Sequence, residues 1–124
     1  RLHEEGQAQV AVTWGLDEEP LAKQFLESAD IPCLRGGAPP LRDLAALFAE
    51  YDALICNDTG MLHLGAAVGT PLVAIFGPTD PERFLPIGEH NLAVKAADSR
   101  VDSVTVEQVW EALGKLPKRR PRPM

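Results

Sequence analysis

The sequence "PLVAIFG", at residues 71–77, is apolar at nearly every position, and this run constrains the fold more than any other segment. A strand with one buried face alternates apolar and polar residues, whereas a strand covered on both faces does not. The run is too short to cross a membrane as a helix. It therefore predicts a strand inside a sheet that carries helices on both sides.

Similar strand patterns alternate with helical patterns along the whole chain. The predicted strands cover residues 9–14, 31–35, 52–57, 71–77 and 92–96. The predicted helices cover residues 17–29, 41–51, 60–69 and 105–116. This alternation predicts an α/β fold with a Rossmann-like parallel sheet. The glycine- and proline-rich segments 36–40 and 77–91 are predicted to hold no regular element.

Apolar residues recur three and four positions apart in these helices, which marks the face expected to pack on the sheet. The residues of these faces are Leu21, Ala22, Phe25, Leu26, Ala29, Leu41, Leu44, Leu47, Phe48, Val106, Val109, Trp110 and Leu113. Cys33 and Cys56 lie in predicted strands among apolar neighbours. That setting favours buried thiols over a disulfide or a metal site.

The net charge of −6 argues against nucleic-acid binding, because a phosphate backbone selects for basic surfaces. The last ten residues differ, since they hold five basic residues and leave seven basic against 18 acidic residues elsewhere. Residues 1–114 are thus interpreted as one domain and residues 115–124 as a basic, proline-rich tail. The tail is either a solvated end or a contact with an anionic membrane surface. We expect neither a signal peptide nor a membrane span in this sequence.

The segment "NDTG" forms a polar turn between a predicted strand and a predicted helix. Asp58 or Thr59 is suited to cap the amino terminus of that helix. The backbone N–H groups of Thr59, Gly60 and Met61 would then face whatever lies beyond the strand. Helix amino termini bind phosphate groups, and Gly60 would let the backbone approach one closely. His63 lies in the first helical turn and could add a hydrogen bond to the same group. The alternatives are a capped helix without a ligand and a histidine without a role in binding.

The segment "GPTDP" repeats this arrangement after the next strand, with Thr79 as a hydroxyl donor between two prolines. After the first strand, Glu18 and Glu19 lie where acidic side chains accept hydrogen bonds from ribose in dinucleotide folds. The ordinary alternatives are a proline-rich turn and favourable charge at a helix amino terminus. Because ligands of open α/β sheets bind outside the carboxyl ends of the strands, the turns together predict one binding edge. The sequence contains neither a P-loop nor a G-x-G-x-x-G fingerprint.

The stretch "NDTGMLHLGAAVGTPLVAIFGPTDPERFLP" closely resembles the signature of the ADP-heptose:lipopolysaccharide heptosyltransferases, glycosyltransferase family 9. That signature runs from Asp-Ser/Thr-Gly-x-x-His through an alanine-rich helix into a strand that ends Gly-Pro-Thr-Asp-Pro. The likeness extends back through "LRDLAALFAEYDALICNDTG" and to "WGLDEEPLAK", and it fades in the tail. Gly65 stands where the family often has alanine.

The resemblance implies the carboxyl-terminal, nucleotide-sugar-binding half of a GT-B architecture, in which two Rossmann-like domains face each other across a cleft. The residues implied to contact the diphosphate and sugar of an ADP-sugar donor are Asp58, Thr59, Gly60 and His63. Glu18 or Glu19 would contact the ribose, and the loop with Pro39 and Pro40 would flank the adenine. The implied transfer is inverting and metal-independent, and it needs no cofactor.

Two parts of the family pattern are missing from this sequence. One is the acceptor domain, which would supply the carboxylate that acts as general base, so no catalytic residue is assigned. The other is the opening strand of the donor-binding domain, expected between the strands at 9–14 and 52–57.

The resemblance therefore implies the donor-binding part of an enzyme that transfers heptose, or a related sugar, to the lipopolysaccharide inner core. The acceptor would be a lipid-linked sugar, and the enzyme would act in the cytoplasm, peripherally on the inner membrane. This chain alone is expected to be inactive. The alternatives are a non-catalytic nucleotide-binding module and another nucleotide-sugar enzyme of GT-B architecture.

Overall fold

The computed structural model describes residues 8–14, 16–29, 33–37, 39–57, 60–88 and 90–117. Parallel strands alternate with helices throughout this part of the chain, which confirms the α/β class. The chain divides into two compact units, Arg1–Leu44 and Ala45–Met124. The interpretation of residues 1–114 as one domain, followed by a tail, stays a prediction.

The first unit contains a two-stranded parallel sheet, in which β1 (Val10–Thr13) pairs with β2 (Cys33–Gly37). After β1, a 3-10 turn at Leu16–Glu18 leads into α1 (Glu19–Ser28). Pro20 lies in the first turn of α1, where its missing N–H costs nothing because that position has no intrahelical partner. The helix thus begins where the acidic and proline residues of the sequence indicate.

Strand β2 is longer than the sequence pattern indicates. A loop was expected from Gly36 onward, but β2 continues through Gly37, which pairs with Thr13. The Gly37 carbonyl also accepts a hydrogen bond from the Trp14 N–H at 3.1 Å. A shift in register after Val12 lets Gly37 pair with Thr13, and Gly37 ends the strand with a φ of +69°. Glycine adopts this conformation without steric cost. The expected loop at Gly36 and Gly37 is therefore wrong.

The second unit contains a three-stranded parallel sheet in the order β3 (Leu54–Asn57), β4 (Leu72–Phe76) and β5 (Asn91–Lys95). The helices that follow β3, β4 and β5 are α3 (Gly60–Ala67), α4 (Pro81–Phe84) and α5 (Val106–Gly114). α2 (Leu41–Glu50) includes the boundary between the two units. The family's opening strand, which would lie between β1 and β3 in the sheet, was expected to be missing from this chain, and that expectation stays a prediction.

Helices α3 and α5 cover opposite faces of the β3–β4–β5 sheet. Val73 of β4 belongs to a buried cluster that includes Ala112 of α5. The next residue toward the amino end, Leu72, lies 3.4 Å from the position that a Cβ on Gly65 of α3 would take. Because successive residues of a strand point to opposite faces, the two helices lie on different sides. Strand β4 is therefore buried from both sides, as its apolar sequence predicts.

Gly65 lets α3 pack closely against this sheet. A Cβ at Gly65 would lie 2.7 Å from Leu54 Cδ2, which is closer than real carbon contacts. The chain returns from α3 to β4 through Thr70, whose buried hydroxyl donates to the Phe48 carbonyl at 2.6 Å. This hydrogen bond ties the last turn of α2 to the start of β4 and satisfies a polar group that burial would otherwise penalise.

Segment 77–91 was predicted to hold no regular element, and this is wrong because α4 forms within it. The side chain of Asp80 accepts a hydrogen bond from the Glu82 N–H at 3.0 Å and so caps the helix. Pro81 fits the first position, since its ring presets φ for a helix. A good cap and a proline in the first turn outweigh the overall density of proline in the segment.

Several apolar residues that were predicted to face the core are exposed, so the buried face of each helix contains fewer residues than the spacing indicates. Leu21 and Phe25 of α1 are 64% and 52% exposed, and Leu41 and Val106 are 70% and 68% exposed. Leu41 and Val106 are the first residues of their helices. The cysteines lie in β2 and β3 as expected, but half-buried rather than buried. No helix in the described ranges is long and apolar enough to cross a membrane.

Candidate functional site

The carboxyl ends of β3, β4 and β5 lie at one edge of the second unit's sheet. Asn57 of β3 pairs with Ile75, and Phe76 of β4 pairs with Lys95 of β5, all in parallel register. The turns that follow these strands therefore leave the sheet on the same side. We call this side, formed by Asn57, the start of α3, the 77–80 turn and Lys95, the carboxyl edge.

At the carboxyl edge, α3 presents its amino terminus next to open space. Asp58 and Thr59, the predicted cap, lie outside the described residues. Gly60 opens the helix, is exposed, and has no atom within 4 Å of the position that a Cβ would take. Met61 is half-buried, and His63 is exposed within the first turn. Since the first N–H groups of a helix have no intrahelical partner, this end can receive an anionic group.

Helix α3 is held in place by its buried side, which packs on the sheet and faces away from His63. Leu62 is fully buried, and Gly65 packs against the side chains of Leu54 and Leu72. Two apolar contacts three residues apart thus leave the intervening His63 on the outer side of the helix. The small and apolar residues of α3 allow it to pack closely against the sheet.

The 77–80 turn follows β4 and lies at the same edge. Gly77 is buried, Pro78 is exposed and Thr79 is half-buried. Asp80 ends the turn as the cap of α4, and its carbonyl also accepts the Phe84 N–H at 3.2 Å. Asp80 is thus bound into the local structure, whereas the predicted role of Thr79 as a donor to a ligand stays a prediction.

Strand β5 contributes a residue that the sequence reasoning missed. The Lys95 ammonium donates a hydrogen bond to the Gly77 carbonyl, across from the end of β4. The two residues are 18 positions apart, so no local pattern could have indicated this contact. Lys95 adds a positive charge to the carboxyl edge, which suits an anionic ligand.

After β5, the 98–103 turn also approaches the carboxyl edge. Asp98 accepts hydrogen bonds from the Ser103 hydroxyl at 2.6 Å and from the Arg100 N–H at 3.0 Å. The pKa of Asp98 is lowered chiefly by the Ser103 hydrogen bond and next by that of Arg100, because both favour the charged carboxylate. Arg100 pairs with Asp102 at 3.0 Å, but both side chains are about 70% exposed, so this pair adds little stability.

The remaining predicted residues lie in the first unit and are described within it. Glu18 and Glu19 are both exposed at the start of α1, and Glu19 forms an ion pair with Lys23 at 3.5 Å. Pro39 is half-buried and Pro40 is exposed. The Pro40 carbonyl accepts the Leu44 N–H at 2.9 Å, so this segment forms the start of α2. Their roles toward ribose and adenine stay predictions.

The structure thus brings the start of α3 and the 77–80 turn together at one edge. In the described ranges, no group of three or more His, Cys, Asp or Glu side chains is placed to hold a metal ion. What the edge offers is the amino terminus of α3, an exposed histidine and the Lys95 ammonium, which also donates to the Gly77 carbonyl. This combination is suited to a phosphate group.

A comparison with protein families matches residues 1–111 to "Glycosyltransferase family 9 (heptosyltransferase)". Among curated proteins, the chain is 31% identical over 68 residues to lipooligosaccharide heptosyltransferase 2 of Haemophilus influenzae. It is 28% identical over 109 residues to lipopolysaccharide heptosyltransferase 1 of Escherichia coli. These matches cover 55% and 86% of this chain, but only 20% and 34% of the relatives. The chain therefore spans about a third or less of each relative's length.

A comparison with solved structures identifies the same fold. The E. coli heptosyltransferase WaaC with ADP superposes with a TM-score of 0.81 at 24% identity, over 90% of this chain and 35% of that one. The glycosyltransferase family 9 protein of Veillonella parvula gives a TM-score of 0.79 at 22% identity, over 86% and 36%. These similarities confirm the Rossmann-like α/β fold as part of a GT-B architecture.

Proposed function

This chain belongs to glycosyltransferase family 9, and from that premise we propose that it is the donor-binding part of a heptosyltransferase. The donor would be an ADP-sugar, and the acceptor a lipid-linked sugar of the lipopolysaccharide inner core. Two findings on related proteins support the donor class: the matched curated relatives are named heptosyltransferases, and one solved neighbour contains ADP.

The observation that carries this proposal is the open space in front of Gly60 at the start of α3. Helix N–H groups there would bind the diphosphate, and the absence of a Cβ would allow close approach. His63 and Thr79 would add hydrogen bonds from the same edge, and Asp58 and Thr59 would complete the turn. Glu18 or Glu19 would bind the ribose, and Pro39 and Pro40 would flank the adenine.

In the proposed reaction, an acceptor hydroxyl oxygen attacks the anomeric carbon of the donor from the face opposite the diphosphate. The new glycosidic C–O bond forms as the bond from the anomeric carbon to ADP breaks, so the configuration inverts. The hydroxyl proton passes to a general base, and ADP leaves with the bonding electrons. The helix amino terminus and the neighbouring donors would stabilise the charge that develops on ADP, in place of a metal ion.

The general base is proposed to lie in the acceptor-binding domain, so that this chain alone binds the donor but does not transfer the sugar. The full enzyme is proposed to work in the cytoplasm, peripherally on the inner membrane, where a lipid-linked acceptor is available. Its basic tail would then meet anionic lipid headgroups. Transfer should appear only when a separately expressed acceptor domain is added to the chain with ADP-heptose and acceptor. Rapid transfer by this chain alone would contradict the division of roles.

Titration calorimetry with ADP tests the binding site directly. Gly60→Ala should keep or slightly raise the melting temperature, because the Cβ meets nothing and alanine favours helices. The same change should weaken ADP binding, since the Cβ would enter the space assigned to the diphosphate. Gly114→Ala is the matched control, because it also adds a Cβ into open space but lies at the end of α5.

A second pair of variants tests the histidine. His63→Ala should weaken ADP binding about tenfold, as expected for one lost hydrogen bond to a charged group. His90→Ala is the control, since His90 is also exposed but precedes the amino end of β5. Binding should be the same in EDTA and in Mg²⁺. A strict need for Mg²⁺, or equal affinities for the wild type and both test variants, would argue against this site.

A further inference from the structure

The segment at the end of β5 and just after it contacts Gly77, at the start of the 77–80 turn, in two ways. The Lys95 ammonium donates to the Gly77 carbonyl. The 98–103 turn, which begins three residues later, occupies the space beside the Gly77 Cα. A Cβ on Gly77 would lie 2.6 Å from Val101 Cγ2 and 3.3 Å from the Ser99 carbonyl oxygen. Gly77 is therefore held by a hydrogen bond and by packing at once.

The 98–103 turn is itself closed by several hydrogen bonds, so it can support Gly77. Asp98 accepts hydrogen bonds from the Arg100 N–H and from the Ser103 hydroxyl. The Ser103 N–H in turn donates to the Arg100 carbonyl at 3.0 Å. These bonds close the turn on both sides of Val101, the residue that contacts Gly77. Displacing the start of the 77–80 turn would therefore disturb a braced structure rather than a loose loop.

We propose that Lys95 is a positioning residue that holds the 77–80 turn in the geometry in which Thr79 contacts the donor diphosphate. This inference rests on the proposed function. Thr79 follows Gly77 by two residues, so a rotation of the Gly77 carbonyl would move Pro78 and with it the backbone of Thr79. The Lys95 ammonium carries three N–H donors on a flexible stem, and one of them is used on the Gly77 carbonyl. Lys95 thus acts on the ligand through the turn.

The test compares ADP affinity for Lys95→Met and Lys95→Arg, with Lys115→Met as a control. Methionine keeps the length of the stem but removes the donor and the charge, and it should weaken ADP binding about five- to tenfold. Arginine restores both and should restore most of the affinity. Lys115 is exposed and follows α5. The Lys115→Met variant loses the same charge, so it should bind ADP like the wild type.

A double-mutant cycle separates positioning from a general effect of charge. In a Thr79→Ala background, Lys95→Met should cost much less affinity than in the wild type, because the residue being positioned is gone. Equal losses in both backgrounds would show that the lysine charge acts on ADP independently of the turn and would overturn the proposal.

Amide hydrogen exchange of the free chain provides a readout without ADP. The Glu82 N–H bonds to the Asp80 side chain, so its exchange reports on the end of the 77–80 turn. Lys95→Met should speed this exchange, and Lys95→Arg should not. If the wild type binds ADP and Lys95→Met neither weakens binding nor speeds exchange, the positioning role is wrong while the proposed function stands. If the wild type does not bind ADP, the proposed function fails and the positioning role fails with it.

Discussion

Replacing Gly77 with alanine should destabilise the chain by about 1–2 kcal/mol, because the added Cβ has too little room. Its position lies 2.6 Å from Val101 Cγ2, 3.2 Å from the Val101 nitrogen and 3.3 Å from the Ser99 oxygen. Carbon atoms pack best about 3.5–4.0 Å apart. The Val101 side chain is 42% exposed and can rotate away at low cost. The two backbone atoms cannot do so, because Asp98 braces their turn.

The expected loss is a packing effect alone. Gly77 is not among the described glycines with a positive φ, so alanine fits its backbone conformation. For a chain of this length, 1 kcal/mol corresponds to a shift in melting temperature of about 4 °C. Thermal unfolding followed by circular dichroism should therefore place Gly77→Ala about 4–8 °C below the wild type. Gly114→Ala, whose Cβ meets nothing, should match or slightly exceed the wild type.

A second substitution locates the source of the loss. Val101→Ala in the Gly77→Ala background removes the 2.6 Å contact but leaves the contacts at 3.2 and 3.3 Å. It should therefore recover only part of the lost stability. A Gly77→Ala variant that melts with the wild type would refute the packing of the 98–103 turn against Gly77. Full recovery by Val101→Ala would show that the backbone of the turn moves freely.

Substitutions at three further positions test other contacts of the second unit. Thr105→Ala should lower stability by about 1 kcal/mol in a urea melt, because Thr105 and Gln108 form a capping box, and Thr105→Ser should retain most of the stability. Asp98→Asn should melt below the wild type at neutral pH. Because the pKa of Asp98 is lower in the folded state, its carboxylate contributes its full stabilisation above the usual pKa of about 3.9, and this contribution is lost as the pH falls through the folded-state pKa. The difference in melting temperature should therefore narrow as the pH falls below about 3.9. Gly65→Ala should change the melting temperature by no more than about 4 °C, because the gain in helix propensity offsets the contact with the flexible end of Leu54.

Features that depend on local sequence were predictable. The apolar run at 71–77 gives a strand buried on both faces, and α5 begins directly after Thr105, where Thr, Glu and Gln form a helix-start pattern. The cap of α4 was also visible in the order Asp80, Pro81, Glu82, which matches a helix amino terminus. The proline content of segment 77–91 argues against a helix, but the order of these three residues decides the local structure.

Contacts between distant residues were not predictable from the sequence. Lys95 meets the Gly77 carbonyl only because β4 and β5 are parallel and in register, which places the last residues of both strands side by side.

The burial of helix residues is also only partly predictable from the sequence. Spacing identifies the apolar side of α2 and α5, but Leu41 and Val106 stand at the first helical position and remain exposed.

Among the described residues, two carboxylates near the carboxyl edge, Asp80 and Asp98, are engaged in local hydrogen bonds. Asp80 caps α4, and Asp98 braces the 98–103 turn, so each carboxylate accepts hydrogen bonds within its own turn. A general base has to reach the acceptor hydroxyl at about 2.6–3.2 Å and must bind a proton during the reaction. The hydrogen bonds to Asp98 favour its charged form and weaken it as a base. The carboxyl edge thus offers groups suited to a phosphate, and the proposed base is a carboxylate other than Asp80 and Asp98.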